Sequence, residues 1–211
     1  MKLWSFWYPD ILPHVAGCPI PIVQHELLRS AQDFFTATRA WQVTLSSITI
    51  SAGASAITIP MDADKDLVRV EAAWYDGEKI EVVTPERLDS MHSDDWRLHT
   101  GTPTSLLQFS PGIVSLYPIP VANAVTGLKL RVSVRPSEAA TGISDEMAVK
   151  FRSEMEVGAK AKLMLYAAKP WTNIDMGAAL TQQFNGMMDR GNITAARSYL
   201  QGRIAARPKW A

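Results

Sequence analysis

The spacing of apolar residues changes twice along this chain, and the two changes limit what it can fold into. Val23, Leu27, Ala31, Phe34, Thr38 and Trp41 recur every three or four residues, the period of one helix face. Leu28 and Phe35 widen that stripe, while Gln24, Arg29, Gln32 and Arg39 are predicted on the other side. From 43 to 136 the pattern shortens to alternating runs of Val, Ile, Thr and Leu, as in half-buried strands. From 144 the helical period returns through Met147, Phe151, Met155, Ala159, Leu163 and Tyr166, with Ser144 as N-cap and Pro170 as the stop. Asn173 then caps another long helix with Asp175 in its first turn. Its stripe is Met176, Leu180, Phe184 and Met187, continued more loosely by Ala195 and Tyr199. Gly186 and Gly191 weaken it, and a bend is expected near Gly191-Asn192.

Helices at both ends of the chain cannot each bury a stripe alone, so they are expected to pack on one another. The predicted fold is α+β: a helical bundle of one N-terminal and two long C-terminal helices, with an inserted antiparallel β-sandwich-like domain. The bundle is assigned to 22–42 and 143–206, the β domain to 43–137 and a C-terminal extension to 207–211. Within the β block, 43–50 and 56–59 read as a hairpin across a small Ser-Ala-Gly-Ala-Ser turn. Asp76-Gly77 turns strand 67–75 into 79–83, and 85–91 reads as a short helix. Ser110-Pro111-Gly112 joins 105–109 to 113–117, and 128–134 is a strictly alternating strand.

Residues 1–21 hold Trp4, Trp7 and four prolines, Pro9, Pro13, Pro19 and Pro21. Prolines fix φ and disfavour helix, so this stretch is predicted as an extended N-terminal arm. Its large rings need a surface to cover them, either the chain's own core or a neighbouring subunit. Trp4, Trp7 and Tyr8 are therefore candidate inter-subunit contacts. The opening residues lack the charged n-region and unbroken apolar run of a signal peptide, and no stretch approaches the ~20 apolar residues of a membrane span.

Twenty-one basic residues balance twenty-one acidic ones. That neutrality argues against a general nucleic-acid binder, which needs a basic surplus. A single cysteine, Cys18, excludes an intramolecular disulfide framework and a cysteine zinc cluster. No phosphate-binding, dinucleotide or nucleophile-elbow glycine motif is present. Of the four histidines, His14, His25, His92 and His99, no pair has metal-ligand spacing. His92 and His99 flank Asp94 and Asp95 in a polar loop, where solvated charge is the ordinary explanation. No catalytic residue, metal ligand or cofactor is assigned. The methionines of the C-terminal helices read as adaptable core or subunit contact.

Charge is uneven along the chain. Residues 42–140 carry twelve acidic and eight basic side chains, whereas Arg190, Arg197, Arg203, Arg207 and Lys209 face no acid from 190 onward. Cations near a helix C-terminus are favourable in themselves. The same residues also suit docking on an acidic partner, with Trp210 as anchor, so Arg203, Arg207, Lys209 and Trp210 join the candidate contacts.

An ordered series of segments resembles the head-to-tail adaptor proteins of tailed bacteriophages. It opens with Tyr8-Pro9-Asp10-Ile11-Leu12-Pro13 and Gly17-Cys18-Pro19, then a helix ending in Phe34-Phe35 and Trp41. In the β block it runs through Leu67-Val68-Arg69-Val70, Trp74-Tyr75-Asp76-Gly77, Thr84-Pro85-Glu86-Arg87-Leu88-Asp89, Gly101-Thr102-Pro103 and Leu116-Tyr117-Pro118-Ile119-Pro120. It closes with Arg135-Pro136-Ser137 and Lys169-Pro170-Trp171. The resemblance implies a bundle with an inserted β domain and a ring of twelve copies at the head-tail junction of the virion. It implies the portal protein on one side, a tail tube or nozzle protein on the other, and packaged DNA passing through the channel without sequence-specific binding. No catalytic residue, cofactor or membrane contact comes with it, and assembly falls in the bacterial host cytoplasm. Two other classes compete. A carbohydrate- or peptide-binding module would be monomeric, and a small hydrolase would depend on His92, Asp94, Asp95 and His99.

Overall fold

The structure, a computed structural model, describes residues 1–91, 94–110 and 112–196. The chain opens with β1 (Lys2–Leu3), a 3-10 turn (Trp4–Trp7), α1 (Tyr8–Ile11) and a second 3-10 turn (Leu12–His14), before the long α2 (Ile20–Thr38). The extended arm expected for 1–21 is thus a string of short helical turns. Pro9, Pro13 and Pro21 each fall in the first turn of a helical piece, where a missing N–H costs nothing and φ is already set.

The β block runs through β2 (Gln42–Ile50), β3 (Ile57–Thr58), β4 (Lys65–Tyr75), β5 (Glu78–Val83), α3 (Pro85–Met91), a 3-10 turn (Asp94–Leu98) and β6 (Thr100–Gly101). It continues with β7 (Ser105–Ser110), β8 (Ile113–Tyr117), β9 (Ile119–Pro120) and β10 (Ala124–Pro136). Among the described residues seven strands join one curled sheet in the order β2-β10-β4-β5-β7-β8-β3. Its neighbours are antiparallel except β5 and β7, which run parallel. A parallel pair needs a crossover, and α3 with its following turn supplies it.

β10 is the spine of the sheet. Leu128, Leu130, Val132 and Val134 alternate along it and are fully buried. Asp76 and Gly77 adopt positive φ and close the β4–β5 hairpin, with Trp74 opposite Lys79. The hairpin expected between 43–50 and 56–59 does not form, because β2 and β3 lie at opposite ends of the sheet. β2 takes its hydrogen bonds from β10 and β3 from β8.

After β11 (Gly142–Ile143), which pairs with β1, come α4 (Asp145–Lys150), α5 (Arg152–Met164) and α6 (Ile174–Ala196). Phe151 interrupts the single helix expected over 144–168, and the helix ends at Met164, before Pro170. α6 starts as predicted, with Asn173 Oδ1 accepting from the Met176 N–H at 3.1 Å. It runs through Gly191 without a break. Close packing explains this: a Cβ on Gly191 would lie 2.7 Å from Thr38, and one on Gly158 2.7 Å from the Phe184 ring. The glycines let α6 press on α2 and α5.

Phe34 and Phe35 of α2 meet Phe151, while Phe34 also meets Phe184 and Phe35 meets Trp41. This aromatic cluster belongs to one core that runs from the helices into β10. α2 is consequently buried beyond its predicted stripe. Gln32, expected on the polar side, is buried and donates to the Pro136 carbonyl and to Glu138. Conversely Met176, expected in the α6 stripe, is exposed, and Gly177 faces Leu165 instead.

Candidate interaction surfaces

Trp4 and Trp7 are 1% and 0% exposed. The Trp4 indole N–H donates to the Ala140 carbonyl at 2.8 Å, and that of Trp7 to the Arg152 carbonyl at 3.1 Å. Their rings sit 5.9 Å apart, with Phe6 edge-on to Trp7. Outside them Arg152 makes a two-pronged ion pair with Asp10, at 2.7 and 3.0 Å, and lies over Phe6. The candidate contacts Trp4 and Trp7 are corrected accordingly: their rings fasten the N-terminal turns to the chain's own α4–α5 region and have no surface left to present. Tyr8 is half-buried, and burial raises its hydroxyl pKa. Arg203, Arg207, Lys209 and Trp210 lie outside the described residues.

A polar knot sits beside α2. Glu26, almost fully buried, accepts a 2.7 Å hydrogen bond from the Tyr166 hydroxyl and lies 3.5 Å from Arg29. That bond, then burial, raises the Tyr166 pKa. The second Glu26 carboxylate oxygen has no hydrogen-bond partner among the described residues. Cys18 is buried and its pKa is raised by burial, so the thiol is neutral and shielded. Sequence periodicity gave no sign of Glu26, since a carboxylate three residues from Arg29 reads as a surface pair.

The far end of the β block carries a second, small core. Trp96 meets Tyr117 edge-to-face at 5.6 Å, with Val83, Leu88 and Leu107 around them. Arg97 stacks on Trp96 at 4.4 Å, and Asp89 accepts from the Trp96 indole at 2.7 Å. A cavity of about 270 Å³ opens beside Trp96, Arg97 and Tyr117, and Met91 and Leu98 project into solvent nearby in sequence. His92 and the side chains of Asp94 and Asp95 are outside what is described, while His99 lies 3.4 Å from the Tyr117 hydroxyl. Among the described residues no cluster of three or more His, Cys, Asp or Glu is placed to hold a metal ion. The stretch Asp94-Asp95-Trp96-Arg97 invites attention to its charges, but its organising residue is Trp96.

Exposed apolar side chains also mark the α5–α6 turn, at Leu165, Ile174 and Met176, and the N-terminal face, at Leu3 and Val149. No helix among the described residues is long and apolar enough to cross a membrane.

The chain belongs to the SU10 adaptor protein family, whose profile matches residues 22–207. It is thereby a phage adaptor protein, a structural component that meets other virion proteins. The N-terminal turns precede the matched region. No curated protein matches the chain.

Proposed function

We propose that the chain is a head-to-tail adaptor that forms a ring of twelve copies between the portal and the tail, seals the DNA exit channel after packaging and offers the docking surface for tail components. The observation that carries this reading is membership of an adaptor family over nearly the whole chain. A balanced charge supports it, because neutral subunits crowd without strong self-repulsion. Each copy meets the next through a heterologous interface whose rotation closes, burying at least ~1,000 Å². The helices line up around the channel, the Trp96 end of the β block faces the tail, and Tyr8, Arg203, Arg207, Lys209 and Trp210 reach a neighbour or the portal.

Native mass of the purified chain, alone and with the portal ring of the same phage, tests the reading. A portal-dependent gain of about one adaptor per portal subunit is expected. A chain that ignores the portal at all concentrations refutes it. The cavity beside Trp96 favours one second reading, a carbohydrate- or peptide-binding module. That reading requires a monomer whose glycan or peptide binding is lost in Trp96→Ala.

A further inference from the structure

One edge of β4 is open. β10 pairs with its whole length on one side, but on the other β5 meets only 73–75. Among the described residues no strand is paired beside 65–72, and the Val70 N–H donates instead to the Gln108 side chain at 3.1 Å. Among the described residues β3, the last strand of the sheet, has no strand paired on its outer edge. A cavity of about 470 Å³ is lined by residues of both strands. Ile59, Met61 and the exposed Ile113 give it an apolar wall, while Lys65, Asp66 and Arg135 give it a charged rim.

The rim leans negative. Lys65 is held at 2.6 Å by Asp62 and at 3.6 Å by Asp64, and Arg135 lies 3.6 Å from Asp66. Both cations are therefore already paired: the lining itself holds Lys65, Arg135 and Asp66, and Asp62 and Asp64, just outside it beside Lys65, bring the carboxylates to three against two. Asp62 is the most exposed of the group at 74%.

Residues 197–211 have the complementary make-up: Arg197, Arg203, Arg207 and Lys209 with no acid, and Trp210 as a large apolar ring. Pro208 is compatible with an edge position, where a missing donor is tolerated. Fully extended, the segment spans about 50 Å, whereas a compact chain of this length has a radius of gyration of about 17 Å. It is long enough to reach the next copy.

We propose that this slot receives residues 197–211 of a neighbouring copy, laid in as an added strand. Trp210 covers the apolar wall, and Arg207 and Lys209 lie beside Asp62 and Asp66. The proposal rests on the reading that copies assemble side by side. It adds that each copy is strapped to the next through its β block, a head-to-tail contact of the kind that forms a ring where its rotation closes.

Disulfide trapping between full-length chains tests it. One chain carries Ile113→Cys and the other Lys209→Cys; Cys18, being buried, stays in both. Mixing and oxidation should give the mixed covalent dimer at least ~10-fold faster than a control in which Leu98→Cys, at the other end of the β block, replaces Ile113→Cys, because docking raises the local thiol concentration. Adding Asp62→Lys to the first chain, or raising the salt, should remove most of that advantage. A rate no greater than the Leu98→Cys control overturns the proposal. So does a third variant, carrying both Ile113→Cys and Lys209→Cys, that closes its disulfide within one chain while the separate variants give no mixed dimer, which would place the segment on its own subunit. Native mass with the portal separates this from the parent reading. Portal-dependent assembly without the cross-link refutes the slot alone, and the cross-link without portal assembly refutes the portal reading alone.

Discussion

Replacing Trp7 by alanine removes the most deeply enclosed ring of the N-terminal turns. The indole is wholly buried, lies 5.9 Å from Trp4 and 5.1 Å from Phe6, and donates to the Arg152 carbonyl. A buried tryptophan hides about 200 Å² of surface, so at ~25 cal/mol per Å² its transfer is worth about 5 kcal/mol. Partial collapse of the space brings the expected cost to about 3–5 kcal/mol, the range for large aromatics cut to alanine. The orphaned Arg152 carbonyl adds about 1 kcal/mol if water does not reach it. A typical domain has only about 5–15 kcal/mol of stability, so the loss is a large share of the total. Urea titration of the dilute, monomeric chain reads it as a lowered midpoint. Trp7→Phe, which keeps a ring and loses the donor, should cost about half as much or less. If Trp7→Ala shifts monomer stability by less than ~1 kcal/mol yet abolishes ring formation, the assignment of Trp7 to the chain's own core is wrong and the tryptophan faces a neighbour after all.

Two helix glycines make opposite predictions: Gly186→Ala meets nothing within 4 Å and should gain up to ~1 kcal/mol, whereas Gly158→Ala pushes on the Phe184 ring and should lose about 1–2 kcal/mol, read together as melting temperatures. Asp10→Asn breaks the pair with half-exposed Arg152 and should cost no more than ~1 kcal/mol, less still in high salt, by urea midpoints at two ionic strengths. Tyr166→Phe leaves Glu26 with only the long 3.5 Å contact from Arg29 and should cost about 1–3 kcal/mol at neutral pH. Because the Tyr166 pKa is raised in the folded chain, the folded state holds that proton more tightly; the stabilisation is complete below the usual value of about 10 and fades as pH rises through the folded one. The gap between the parent chain and Tyr166→Phe should therefore narrow above pH ~10, and a gap that widens there would contradict the bond to Glu26.

Much of the fold was legible because it depends on local periodicity. The α2 stripe, the alternation of β10 and the Asp76-Gly77 turn each state their structure within a few residues. What failed depended on distant partners. The prolines of the first 21 residues were read as marks of an extended arm, yet Pro9, Pro13 and Pro21 each sit in the first turn of a helical piece, and Trp4 and Trp7 tie those turns to Ala140 and Arg152 far along the chain. β2 and β3 looked like a hairpin from their spacing, but β10, more than seventy residues later, takes β2 first. Gln32 was placed on the polar side of α2 until Pro136 and Glu138 came to meet it, and nothing local marked Glu26 as the partner of Tyr166. In α6 two of the contact positions are glycines, Gly177 and Gly191, which carry no apolar signal beside the legible Phe184. The interaction surfaces were harder still, since exposure of Leu98, Ile113 or Met176 follows from tertiary packing and from nothing in their own neighbourhoods.

The docking of the first residues on the last third of the chain also has a temporal consequence. Trp4, Trp7 and β1 have their partners at Ala140, Arg152 and β11. More than a hundred residues separate those partners from the end of α2, and at about 5–20 residues per second the ribosome needs roughly 6–20 s to deliver them. Through that interval the nascent chain holds two tryptophans and an apolar helix that have only each other for cover. Long-range closure of this kind is slow in itself. A chaperone that shelters the emerging N-terminus should therefore raise the yield of soluble subunit more than one that acts on the finished chain.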